Sequence, residues 1–257
     1  IDLENIGGNL TVGTSVTANG SANVTLTTTT SGNVILTGTT TASGDTVTVN
    51  SVGAINGTGL VTGSISDLHG ASGIGNRTPL EPSAATITAD ATTGNIDIDN
   101  AIAATITSIT TGGGSIIVDN TAGNLSVGTV TATTTVALTA TTGNLVSSTS
   151  AVSGTGVSLT ATAGAIGTLA NPIALTATSL TTNTSGGGNQ FLSEADSLTW
   201  NTSTAGTGSI TLTAGTFLTG ASQTITTSGV TVASGVVLGG TGTITGSVTT
   251  QSGGDVS

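Results

Sequence analysis

The sequence predicts an all-β chain wound as a parallel β-helix, a β-solenoid of roughly 20 residues per coil. Three observations carry that prediction. The segment Val136-Ala-Leu138-Thr-Ala-Thr-Thr-Gly143-Asn144-Leu145 returns 21 residues later as Val157-Ser-Leu159-Thr-Ala-Thr-Ala-Gly164-Ala-Ile166. Each copy alternates aliphatic residues with Thr or Ser at period 2, which buries one face of a strand and wets the other. Each copy then turns on Gly, commonly followed by Asn, the residue types that tolerate left-handed backbone best. Such short strands cannot bury their apolar face alone, and stacking successive units buries it. No i, i+3, i+4 apolar pattern competes with this reading.

The elements follow in order. Gly8-Asn9-Leu10 is the first corner, and Val24-Thr-Leu26 is a strand turned by Gly32-Asn33-Val34. Residues 67–82 (DLHGASGIGNRTPLEP) hold the only His, the only Arg and two of the three Pro. Pro is poorly tolerated inside central strands, so this segment is expected to leave the stack as a loop. Ala85-Thr-Ile87 and Gly94-Asn95-Ile96 resume the repeat, and the corners Gly123-Asn124-Leu125 and Gly143-Asn144-Leu145 stand 20 residues apart. Ile173-Ala-Leu175-Thr-Ala and Ile210-Thr-Leu212-Thr-Ala repeat the strand half. Residues 186–200 (GGGNQFLSEADSLTW) open on a Gly run and carry Phe191, Glu194, Asp196 and Trp200. They are expected to form an irregular coil with a small aromatic patch. The whole of 1–257 reads as one solenoid of some 12–13 coils, a rod of about 60 Å at roughly 4.8 Å per strand. Beginning at Ile1, it reads as an excised or processed piece of something longer.

Composition fits a thin stacked core and excludes much chemistry. The 257 residues include one Lys+Arg, one His and twelve Asp+Glu, a net charge of −11, with charged residues at 5%. An ordinary soluble domain carries roughly 25%. The charge repels phosphate and the aromatics needed for base stacking are missing, which argues against nucleic-acid binding. With no Cys there are no disulfides or thiolate metal sites. No apolar run approaches the roughly 18 residues of a spanning helix.

The stretch Val232-Ala-Ser-Gly235-Val-Val-Leu238-Gly-Gly240-Thr-Gly242-Thr-Ile244-Thr-Gly246-Ser-Val248, with Gly253-Gly254, resembles a repeat found near the carboxyl side of autotransporter passenger domains. Residues 228–257 are assigned to it. Upstream, Gly164-Ala-Ile166-Gly-Thr-Leu-Ala-Asn171-Pro172-Ile173 and the Gly-Asn-Leu units resemble filamentous-haemagglutinin-like surface proteins. The resemblance implies a right-handed parallel β-helix, a bacterial, secreted or surface location and an adhesive role. It carries no catalytic motif onto this chain.

Candidate site residues are few. His69 and Arg77, with Asp67 and Glu81 in the same predicted loop, are the candidate ligand loop, since loops off rigid scaffolds often carry function; the plainer reading, which is favoured, is local ion pairs tethering the loop. Asp97 and Asp99 stand at i, i+2 and share a strand face, the paired-carboxylate arrangement of glycoside hydrolysis; the same pair fits a solvated face with Ile96 and Ile98 inward. Phe191 and Trp200 would stack on a sugar, or plug a corner. Triplets such as Thr25-Leu-Thr27 and Thr224-Ile-Thr226 would align into hydroxyl rows resembling those of some ice-binding proteins, or serve as neutral outward residues. The Gly-Gly-x-Gly-x-Asp repeat of calcium-binding β-rolls is absent, and no metal or cofactor is expected. The expected function is a non-catalytic extracellular shaft, adhesin-type or filament-forming. Its partners are then a host or neighbouring cell surface, a polysaccharide or further copies of itself. The alternatives are a carbohydrate-active β-helix using Asp97 and Asp99, and a Thr-array ice-binding protein.

Overall fold

The computed structural model describes residues 1–76, 78–148 and 151–257. Every regular element in them is a strand. Parallel strands stack about 21 residues apart and form a β-solenoid of about 12 turns. Contacts divide the chain into two compact units, Ile1–Ala122 with Thr131–Thr134, and Gly123–Val130 with Thr135–Ser257, where the sequence suggested one.

In the first unit each early coil has three short strands. Asp2–Asn5, Leu10–Val12 and Ser15–Ala18 make one coil; Val24–Thr28, Val34–Leu36 and Thr39–Ala42 make the next. Each strand pairs in parallel with its counterpart one coil on: Leu26 with Val49, Val34 with Ile55, Thr40 with Val61. Inward residues therefore line up in columns. Leu26, Val49 and Leu68 form one, and Ile55, Ile74, Ile96 and Ile116 form another, all fully buried. This is the thin aliphatic core that the composition implies. The offset between coils is elastic: Thr25 pairs with Thr48, 23 residues on, and Ile96 with Ile116, 20 residues on. Corners absorb the difference, so the sequence repeat looks loose while the stacking stays regular.

The second unit repeats the plan. Val136 pairs with Val157 and Val157 with Leu180; Leu138 pairs with Leu159 and Leu159 with Thr182. Here the core changes character. Thr182, Gln190 and Ser203 take inward positions where neighbouring coils place Leu159, Ile166 and Ile225, and all three are almost wholly buried. They satisfy one another. The Thr182 hydroxyl lies 2.7 Å from Gln190 Oε1 and 2.6 Å from Ser203 Oγ, and Gln190 Nε2 donates to Thr204 O at 3.2 Å. A buried polar group is tolerated only when so paired.

Two predicted irregularities are narrower than the sequence suggested. Asp67–Gly70 close the strand Leu60–Gly70, and Glu81 and Pro82 open the strand Glu81–Ala91. Residues 67–70 and 81–82 of the excursion read over 67–82 are thus strand, and between them Ile74 and Leu80 still bridge to neighbouring coils. Leu68 is inward between outward Asp67 and His69, so the period-2 alternation runs on beneath the charges. Residues 190–200 belong to the long strand Gln190–Thr204, and their irregularity is a bulge: its pairing to Ser209–Thr219 shifts on both sides of Ser193.

Candidate functional site

Corners come first because they fix where the faces point. Asn144 Oδ1 accepts the backbone N–H of Ala165 at 2.7 Å, one coil on, and Asn124 Oδ1 accepts that of Asn144 at 2.9 Å. Asn9, Asn33 and Asn189 do the same for Asn33, Ala54 and Ser209. A side-chain ladder runs along these corners at Asn144 Nδ2, which donates to Asn124 Oδ1 at 3.1 Å. A second ladder, unread in the sequence, is buried: Asn100 Nδ2 donates to Asn120 Oδ1 at 2.9 Å.

His69 is held between coils. Its register partners are Asn50 on one side and Asp90 on the other. Nε2 lies 3.1 Å from Asp67 Oδ1, and Nδ1 contacts Asp90 Oδ1. Neutral imidazole has one N–H, so only the imidazolium donates to both carboxylates. Burial disfavours the charged ring, but Asp90 and Asp67 outweigh it, and the His69 pKa is raised above its ordinary 6.5. An open groove of about 230 Å³ beside it is lined by Asn50, His69, Asp90 and Thr92 among others. Arg77, the other half of the candidate ligand loop, lies outside the described residues. Glu81 is not part of the His69 cluster; its charge acts on Asp99. Asp90 is the partner that sequence reading missed, and its signal was available: it stands 21 residues after His69, one coil on.

Asp97 and Asp99 point outward together from Ile96–Asn100, with Ile96 and Ile98 fully buried. Asp99 pairs in register with Asp119. Burial raises the pKa of both, and the neighbouring carboxylates add to it: Asp99 and Asp119 for Asp97, Asp119 and Glu81 for Asp99. No group of three or more His, Cys, Asp or Glu among the described residues is placed to hold a metal ion.

Trp200 does not meet Phe191. It is fully buried and packs edge-on against Phe217, with ring centroids 5.7 Å apart. Phe191 lies on the outward side of the same strand, so the two rings do not form a sugar-stacking pair. Glu194, only 2% exposed, accepts the N–H of Ala195 at 3.0 Å through Oε1, while Oε2 has no partner. Burial raises its pKa against the lowering effect of those N–H bonds.

A pair of outward columns runs through the second unit. One runs Ala137, Ser158, Thr181, Thr202, Thr224, Thr243. Beside it, two residues along each strand, runs Thr139, Thr160, Asn183, Thr204, Thr226, Thr245. Both columns keep their pairing through these six coils, with a bulge at Asn201 just before Thr202. The first unit has its own two columns, but they are charged, with Glu4, Asp67, His69 and Asp90 among Thr and Asn.

No helix among the described residues is long and apolar enough to cross a membrane. Compared with known proteins, the chain matches no family model, no curated protein and no solved structure.

Proposed function

We propose that the chain is a non-catalytic extracellular shaft, the adhesin-type or filament-forming part of a bacterial surface protein. The resemblance of residues 228–257 to autotransporter passenger repeats supports the location, and the Gly-Asn-aliphatic corners support kinship with filamentous-haemagglutinin-like proteins. The observation that carries the reading is the continuous pairing of outward columns over six coils. A repeated face gives many identical weak contacts, which sum to strong attachment without a deep pocket. The sequence is also poor in the groups that do chemistry, and its one imidazole is tied at both nitrogens. Deleting the parent gene and measuring attachment to surfaces and neighbouring cells is the test. Attachment should fall; unchanged attachment contradicts the reading.

A second reading rests on the crowded carboxyls Asp97, Asp99 and Asp119. A carboxyl whose pKa is raised by burial, and further by its neighbours, as for Asp97 and Asp99, is suited to act as an acid in glycoside cleavage. Under this reading the chain releases sugars from a polysaccharide panel, and D97N/D99N abolishes the release. A panel without products removes it.

A further inference from the structure

We propose that the Thr-lined face of the unit Gly123–Val130 with Thr135–Ser257 is an ice-binding surface. This goes beyond the shaft reading and does not depend on it.

Nine of the twelve positions in the two columns are Thr, the others are Ala137, Ser158 and Asn183, and none is charged. Coil stacking repeats each column at about 4.8 Å, and two residues of strand separate the columns by about 6.6 Å. A hydroxyl offers one donor and two acceptor sites, as part of what a water molecule offers. Thr is β-branched and stiff at χ1, so these oxygens keep fixed positions. They are also uncommitted: among the described residues, Thr245 alone of the nine donates to the protein, to Ile225 O at 3.2 Å.

The partner that complements such a face is itself periodic, uncharged and made of hydrogen-bonding oxygens. Ice meets all three conditions. A folded protein surface is irregular and carries charge. A crystalline polysaccharide is flat and neutral, but this face offers no aromatic ring for sugars, since Trp200 is buried. The first unit is a built-in contrast. Its outward columns contain Asp67, His69 and Asp90, whose charges hold oriented shells of liquid water.

The test is partition of the full chain into slowly growing ice, with circular dichroism confirming β-structure in every variant. The native chain should be enriched in ice relative to an unrelated soluble protein. The face variant T204K/T226K should lose about tenfold or more of that enrichment through lost multivalency. The variant T48K/T88K, on the first unit's columns, should retain it. Exclusion of the native chain from ice overturns the proposal, as does enrichment that survives T204K/T226K. Retention on crystalline cellulose without ice enrichment overturns it in favour of a polysaccharide. Concentration-dependent association abolished by T204K/T226K, again without ice enrichment, overturns it in favour of contact between copies. Loss of cell attachment on gene deletion reads the shaft proposal separately.

Discussion

Each Gly-Asn corner is set by two residues that act on different neighbours. A Cβ on Gly164 would lie 2.2 Å from Gly143 O, and one on Gly143 would lie 2.2 Å from Gly123 O. These glycines are required by the closeness of the next coil. Left-handed backbone alone is the requirement elsewhere, as at Gly8, with φ 86° and open space where a Cβ would stand. The Gly-Asn signal was therefore legible in the sequence, but its cause was only half legible, because inter-coil distance is not a local property. Gly164→Ala should cost about 1–3 kcal/mol by overpacking. Gly7→Ala, where a Cβ would meet nothing, should stay within about 0.5 kcal/mol of the native chain. Asn144→Ala should cost about 0.5–1.5 kcal/mol, the usual worth of a hydrogen bond such as the one to Ala165 N–H. Urea midpoints of the three variants check these values, and a Gly164→Ala as stable as Gly7→Ala contradicts the stacking account.

Among the elements, the strand Gln190–Thr204 departs furthest from the repeat. Its local sequence showed an irregularity but not its form. Glu194 and Trp200 stand where neighbouring coils place Leu175 and Leu180, and that register, which local sequence does not show, turns both inward. The polar cluster of Thr182, Gln190 and Ser203 was illegible for the same reason: its members are joined across coils. Glu194 makes a testable contribution. Its folded pKa lies above its ordinary 4.5, so the native state keeps a proton that the unfolded chain releases. Stability from this group is present at acid pH and is lost as pH rises from about 4.5 through the raised value. Glu194→Gln removes the titration. Thermal melts should show a shallower fall in stability between pH 4.5 and 8 for E194Q than for the native chain. An equal or steeper fall contradicts the assignment.

At the scale of the molecule the shifts agree in sign. Asp97, Asp99 and Glu194 are all raised, and His69 is raised above 6.5. Each group binds a proton more tightly when folded. The three carboxyls destabilise as pH rises from about 4, and the His69 contribution, whole below 6.5, fades as pH passes its raised value. A net charge of −11 at pH 7 adds self-repulsion that acid relieves. The thermal midpoint should be higher at pH 5 than at pH 8, and a midpoint that rises over that interval contradicts this. The fold class itself was fully legible from the 21-residue offset and the period-2 alternation. The His69 pairing was legible only once that offset was applied as a rule for finding neighbours.

In-register stacking turns scattered Thr residues into faces, and the absence of Cys makes it directly measurable. Ser158 and Thr181 are register partners on adjacent coils, while Ser158 and Asn183 are displaced by two residues. Cα atoms in register lie about 4.8 Å apart, within the reach of a disulfide, and displaced ones lie about 8 Å apart, beyond it. Under mild oxidation S158C/T181C should form an intramolecular disulfide nearly to completion, and S158C/N183C should remain reduced. Cross-linking of the displaced pair in preference to the aligned one would contradict the register and, with it, the faces built on it.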